Sequence, residues 1–282
     1  MMRYRILALD LDGTALDPAG DLTDDVRDAV AAARASGLRV VLCTGRRFRT
    51  ALPVAQGLSL SGAIVVNNGV LVKDLASGRT LSHRYLSDGV SAEVLALVRE
   101  VGSPLVYVDA YEKRIDILIE DHGRAHPFQR EYLEDNTDFT RVVGDLENTG
   151  RDDVIMMSTM GDEATLRALR SRAERDLGGR VRMHSLINKN YRGQILEFLA
   201  PGTGKWPTLR RIAADEGIDP RQIAAVGDDD NDIEMIRGAG LGIAMGNAVD
   251  SAKAAADHVT RSNAEGGVVE AIERVLEETR RV

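Results

Sequence analysis

Apolar residues run without interruption through Ile6-Leu7-Ala8-Leu9 and then give way to Asp10-Leu11-Asp12-Gly13-Thr14. A short continuous apolar run that ends in a glycine turn predicts a strand buried on both faces, as a parallel sheet requires. Val26, Ala29, Val30 and Ala33 then recur at helical spacing. Thr23 stands at the N-cap, Asp24 and Asp25 fill the first turn, where the helix dipole favours negative charge, and Gly37 closes the helix. Residues 38–43 form a second strand run, ending at Thr44-Gly45-Arg46. Strand, helix and strand with short connections make a βαβ unit. Open α/β sheets bind their ligands at the carboxyl ends of such strands, here the edge that carries Asp10, Asp12 and Thr44. Ala63–Val66 predicts a third strand, and Asn67-Asn68-Gly69 is a turn signal after it.

From residue 84 to residue 190 the pattern changes. Apolar segments such as Ile115-Asp116-Ile117-Leu118-Ile119 and Val154-Ile155-Met156-Met157 alternate with helical stretches over 91–101 and 163–177. That pattern predicts an inserted α+β unit with antiparallel pairing. The α/β alternation then returns. A strand is expected at 195–199 and a helix at 205–214, with Pro207 tolerated in its first turn. Further strands are expected at 223–227 and 241–245, and a helix at 248–256. The expected organisation is a core formed by residues 1–83 plus 191–282, with a separate domain at 84–190.

Composition narrows the function. The chain has 282 residues, 44% of them apolar and 28% charged, enough for a sizeable core in each of two domains. With 36 Lys plus Arg against 44 Asp plus Glu, the formal charge is −8, which argues against a general nucleic-acid binder. An acidic protein that binds an anion needs a local device such as a metal. The single cysteine, Cys43, excludes an internal disulfide and fits a reducing compartment. Arg3 and Arg5 precede only a short apolar stretch, broken at Asp10, so neither a signal peptide nor a membrane span is expected, and a cytoplasmic location is.

Three polar pieces fall at predicted strand ends: Asp10-Leu11-Asp12-Gly13-Thr14, Thr44-Gly45-Arg46 and Gly227-Asp228-Asp229-Asp230-Asn231-Asp232. Lys205 opens a helix just after a strand. If these strands share one parallel sheet, Asp10, Asp12, Asp228 and Asp229 converge with Thr44 and Lys205. Clustered carboxylates disfavour mutual ionisation and call for a cation, and all-oxygen donors with room for water and phosphate suit Mg²⁺. A carboxylate nucleophile, a metal, a lysine and hydroxyl donors are the parts of phosphoryl transfer through an aspartyl-phosphate.

These residues, in this order, resemble the four motifs of the haloacid dehalogenase-like (HAD) hydrolases. The similarity is strongest to the Cof-type subfamily with a IIB cap, of which Asn67-Asn68-Gly69 and the Gly-Asp-Asp-Asp-Asn-Asp run are typical. The resemblance implies a Rossmann-like parallel-sheet core with an inserted α+β cap that governs substrate specificity. It implies a Mg²⁺-dependent phosphatase acting on a small phosphorylated metabolite of the sugar phosphate, FMN or pyridoxal phosphate type. Asp10 would be the nucleophile, and Asp12 would protonate the leaving alkoxide and then activate water. Mg²⁺ would bind Asp10, the Asp12 carbonyl and Asp228, with Asp229 a weaker candidate. The Leu11 amide, Thr44, Gly45, Lys205 and Asn231 would hold the phosphoryl oxygens, and Asp232 would orient Lys205.

Rival readings carry less of the sequence. A phosphomutase would use the same aspartyl-phosphate but return the phosphate to substrate. A phospho-receiver module is a single domain of about 120 residues and has no need of Asp12. A nucleotide P-loop at Gly204-Lys205 fails because Trp206 follows the lysine. His122 and His126 have metal-site spacing, but Gly123 stands where a zinc protease needs glutamate. Arg46 and Arg47 are divided between substrate and surface roles.

Overall fold

The computed structural model describes residues 3–120, 123, 125–147, 153–188 and 193–280. Strand β1 (Ile6–Leu9) is buried at all four positions, as its unbroken apolar run requires. Helix α1 (Asp24–Ala35) buries Val26, Ala29, Val30 and Ala33, the predicted stripe. Thr23 occupies the N-cap position, but its side chain makes no capping bond. Strand β2 (Arg39–Leu42), helix α2 (Phe48–Gly57) and strands β3 (Ala63–Val66), β4 (Leu71–Asp74) and β5 (Thr80–His83) follow.

The chain then enters a second compact unit, residues 83–203. It contains α3 (Asp88–Val101), β6 (Leu105–Ala110), β7 (Ile115–Ile119), α4 (Pro127–Asp135), β8 (Thr140–Val142), β9 (Val154–Gly161), α5 (Glu163–Leu177), β10 (Arg182–Asn188) and β11 (Gly193–Leu199). Its six-stranded sheet has the order β10-β11-β9-β6-β7-β8. Pairing is antiparallel, as the sequence predicts, except between β7 and β8, which run parallel. Leu95 and Val98 of α3 and Leu166 and Leu169 of α5 share an apolar core with Val106, Met157, Leu196 and Phe198 of the sheet. The strand at 195–199, read from sequence as part of the first domain, pairs instead with β9 and β10 in this sheet. A run of apolar residues marks a buried strand without saying which sheet takes it. His126 caps α4, accepting the Phe128 N–H, while His122 lies outside the described residues.

The first unit resumes with α6 (Lys205–Asp215), β12 (Ile223–Gly227), α7 (Ile233–Gly238), β13 (Leu241–Ala244), α8 (Asp250–Ala255), β14 (His258–Val259) and α9 (Gly267–Arg280). Its main sheet has the order β14-β13-β12-β1-β2, parallel throughout. Leu9 lies in register with Leu42 on one side and Val226 on the other. The carboxyl ends of β2, β1 and β12 therefore stop side by side. A parallel bridge between Cys43 and Val65 carries the pairing on to β3, which opens a second sheet, β3-β4-β5. Among the described residues no helix is long and apolar enough to cross a membrane.

The start of α6 is fixed against the turn after β3. Gly69 has φ +86°, and a Cβ there would lie 2.1 Å from the carbonyl oxygen of Gly204. The Thr208 hydroxyl donates to the Gly69 carbonyl at 2.7 Å. Both partners of the close approach are backbone, so neither can yield. Gly69→Ala combines left-handed strain with a backbone clash and is expected to destabilise the protein by more than about 2 kcal/mol. Urea denaturation of the variant beside the wild type measures this, and an unchanged midpoint would contradict it.

Candidate active site

Asp10 follows β1 directly, its N–H still bonded to the Val226 carbonyl, and its side chain is buried at 6% exposure. Lys205, the first residue of α6, reaches the same point. Its Nζ donates to Asp10 Oδ1 and to Asp232 Oδ1, both at 2.7 Å, and to Asn231 Oδ1 at 3.1 Å. The other oxygen of Asp232 accepts the N–H groups of Asp228 and Asp229 at 3.1 and 3.2 Å. Asp232 is thus held by donors on both oxygens and orients Lys205 and the loop after β12. Asp228 is held from across the sheet, accepting from the Thr14 hydroxyl at 3.0 Å. Gly13 makes room for it, since a Cβ there would stand 2.1 Å from Asp228 Oδ2.

Among the described residues, Asp10, Asp228 and Asp232 form the carboxylate group whose oxygens lie within 4.8 Å of one another. Asp229 stands outside it. It is exposed, and its side chain caps the short turn after it, accepting the Asp230 N–H at 2.8 Å. The Asp12 side chain is also outside, 58% exposed and gripped by Arg46, whose Nε and Nη2 donate to its two oxygens at 2.8 and 2.6 Å. Asp230 is exposed and accepts from Ser251.

On the other side of Asp10, Thr44 is fully buried. Its N–H is engaged by the Val65 carbonyl, so it is the side chain that Thr44 can offer to the site. Its hydroxyl accepts the Arg46 N–H at 3.0 Å, which leaves the hydroxyl proton to donate elsewhere. Asn68, in the left-handed conformation at φ +53°, accepts from the Asn231 carboxamide at 3.0 Å. A side chain at Gly45 would press on that Asn68 carboxamide, the nearest atom at 3.1 Å. Leu11 is completely buried. The structure thus adds three residues whose functions the sequence did not assign: Thr14 on Asp228, Asn68 on Asn231, and Arg46 on Asp12. Thr14 and Asn68 lie inside motifs read for other residues, and only their neighbours in space reveal what they touch.

The electrostatics follow from burial. Burial, reinforced by Asp232, pushes the Asp228 carboxyl up to about 7. Asp10 is likewise raised by burial and by Asp232 and Asp228, against the pull of Lys205. Burial works against the charge on Lys205, but Asp10 and Asp232 outweigh it and hold the ammonium protonated. Three buried carboxylates share one ammonium, so the fully ionised cluster carries an excess negative charge. The donors are all oxygen, and among the described residues Asp10 and Asp228 accept from side chains, whereas Asp232 also accepts backbone N–H groups. Such a set fits a hard divalent cation of the Mg²⁺ kind.

The chain matches the haloacid dehalogenase-like hydrolase family over residues 7–272. The 5-amino-6-(5-phospho-D-ribitylamino)uracil phosphatase YitU of Bacillus subtilis is 30% identical over 268 residues, covering 93% of this chain and 94% of that protein. A solved haloacid dehalogenase-like hydrolase from Bacteroides thetaiotaomicron is similar at a TM-score of 0.81 and 28% identity, over 96% of this chain and 99% of that one. A sugar phosphatase of HAD subclass IIB shares the fold, with a TM-score of 0.75 at 22% identity over 96% and 98% of the two chains. Sequence match and fold agree along nearly the whole chain, which therefore belongs to the haloacid dehalogenase-like hydrolases.

Proposed function

We propose that this hydrolase is a Mg²⁺-dependent phosphatase that releases phosphate from a small phosphorylated metabolite through a phosphorylated Asp10. The observation that carries the reading is Lys205 Nζ at 2.7 Å from both Asp10 and Asp232, inside a buried cluster that also holds Asp228. An ammonium fixed against a carboxylate nucleophile gives an incoming phosphoryl group a countercharge without shielding the whole carboxylate.

Asp10 attacks phosphorus through one carboxylate oxygen, and the bond from phosphorus to the alcohol oxygen breaks. Asp12 gives its proton to the leaving alkoxide. Water then attacks the phosphorus of the Asp10 adduct, Asp12 takes the water proton, and the bond from phosphorus to Asp10 breaks. Asp12 is again protonated and inorganic phosphate leaves. Lys205, Asn231 and the Thr44 hydroxyl are placed in this reading on the phosphoryl oxygens, together with the Leu11 and Gly45 amides, and Asp232 keeps Lys205 aimed. Asp10, the Asp12 carbonyl and Asp228 would hold Mg²⁺, which when bound neutralises the carboxylates and the phosphate charge. Asp229, turned into its own cap, is not part of this proposal.

The substrate class follows from the relatives' substrates and the chemistry of the site. A phosphorylated polyol attached to a heterocycle is named for YitU and a sugar phosphate for the subclass IIB enzyme. A phosphomonoester of a hydroxyl-rich metabolite, with FMN and pyridoxal phosphate types beside it, is the class proposed here. The choice among them is assigned to the inserted unit. A screen of phosphorylated metabolites with Mg²⁺, read as continuous phosphate release, tests the reading. A single stoichiometric release would point to a mutase or receiver instead.

Asp10→Asn keeps the shape but removes the nucleophile. Turnover is expected to vanish, with no acid-stable, hydroxylamine-labile phosphate on the protein and unchanged circular dichroism. Asp12→Asn is expected to slow turnover by roughly 10²–10⁴-fold, the range for losing general acid–base help. Steady-state rates of the two variants against wild type decide both points.

Chelation should abolish activity and Mg²⁺ restore it, while excess Ca²⁺ should inhibit, because it takes more oxygen ligands at longer distance. Below about pH 7 the Asp228 carboxyl holds a proton that the cation must displace. Mg²⁺ affinity is therefore expected to fall as the pH drops below about 7. Calorimetric titrations from pH 5.5 to 8.5 check this, and a pH-independent affinity would contradict it.

A further inference from the structure

The proton-transfer residue Asp12 is exposed, yet its carboxylate is not left to rotate. Arg46 Nε and Nη2 donate to Asp12 Oδ2 and Oδ1 at 2.8 and 2.6 Å, while Nη1 points toward the Thr50 carbonyl at 3.5 Å. The base of the arginine is fixed by backbone. Its N–H donates to the Thr44 hydroxyl at 3.0 Å, and its carbonyl accepts the Asn67 N–H at 2.9 Å. The guanidinium is thus a strut from the loop after β2 to the loop after β1. An ion pair in which one partner is 58% and the other 26% exposed adds little to stability. Its geometry is another matter. A planar fork on both carboxylate oxygens fixes the plane and direction of the acid as a single point charge cannot.

We propose that Arg46 is a positioning residue for Asp12, holding the carboxylate in the orientation from which it exchanges a proton with the reacting oxygen. A carboxylate has about four lone-pair sites, and the fork takes two, so the outward ones stay available to the leaving oxygen and to water. The alternative, a grip on the substrate phosphate, is disfavoured because the Nε–Nη2 edge of the guanidinium is spent on Asp12 and Nη1, at the other edge, is turned to the Thr50 carbonyl. The main-chain bond to Thr44 does not depend on the side chain, so substitution at Arg46 isolates the strut. The inference rests on the proposed acid–base role of Asp12.

The test is a double-mutant cycle in the full-length, Mg²⁺-loaded protein with an aryl phosphate and a sugar phosphate. Arg46→Ala is expected to lower kcat by roughly 10–100-fold, the scale of a misplaced catalytic group. KM should stay within about threefold, because ground-state binding is untouched. Arg46→Lys, which keeps the charge but loses the fork, should be nearly as slow. In the Asp12→Asn background, Arg46→Ala should cost no more than about twofold, since the group it positions is already gone. Added guanidinium should partly restore Arg46→Ala and leave the double variant unchanged. Additive losses in the cycle, a raised KM at unchanged kcat, or full activity in Arg46→Lys would each overturn the proposal. If Asp12→Asn itself runs at full speed, the acid–base reading falls and the positioning proposal with it. If Asp12→Asn is slow and the cycle is additive, only the positioning proposal falls.

Discussion

The strand ends of the core are organised around one ammonium group. Lys205 Nζ sits in a fully buried position between Asp10 and Asp232. Desolvating an ion costs several kcal/mol even after the protein relaxes, and attraction between buried partners recovers this only with excellent geometry. The geometry here is of that quality, with two contacts at 2.7 Å and a third donor direction used on Asn231. Remove the ammonium and three carboxylates face one another with hydrogen bonds but no cation between them. An apolar core would serve stability better at such a point, so the cluster is best understood as a site that the surrounding packing holds in place.

The surroundings are built to tolerate it. Gly227 lets Asp232 fold back over the end of β12, where a Cβ would meet the Asp232 Cβ at 2.5 Å. Backbone N–H groups then supply part of the countercharge on Asp232, and the Thr14 hydroxyl does so on Asp228. The main chain of the same loop is tied to the segment before α8, the Val249 N–H donating to the Asp228 carbonyl at 2.9 Å. The parallel register that ends β1, β2 and β12 together does the rest, because it converts three loops distant in sequence into one short front.

Much of this was readable in the residues. The strand at Ala63–Val66, the strand at Ile223–Gly227 and the buried face of α1 stand where periodicity puts them. Asp10 and Lys205 were legible as neighbours because each closes or opens an element at the same sheet edge, whereas Asp232 was legible as the partner of Lys205 only through the family resemblance. Other parts were hidden for physical reasons. Helix α2 carries Pro53 in its interior, which obscures the helical signal. Strand β11 has the same apolar composition as a core strand, and only its partners reveal that it belongs to the other sheet. The bond from Arg46 to Asp12 spans loops 34 residues apart, and nothing in either loop's sequence specifies it. Asn68 looked like turn chemistry, and its left-handed backbone bears that out, but its carboxamide is also part of the network that reaches Lys205 through Asn231.

The order of strands has a consequence for how the chain comes into being. β1 lies inside the main sheet, one strand from its β2 edge, yet of its two neighbours only β2 is synthesised soon after it. The other, β12, emerges after the entire second unit, and Thr14 waits 214 residues for Asp228. Until then the nascent protein carries an open, apolar, parallel strand edge, the surface on which chains most readily pair with the wrong partner. The Asp residue that follows β1 leaves a charged group at the mouth of that edge, and Lys205 arrives before β12 to meet it. A growing chain can therefore complete its second unit and still hold this seam unsealed, so the core sheet closes only when the last part of the chain has emerged.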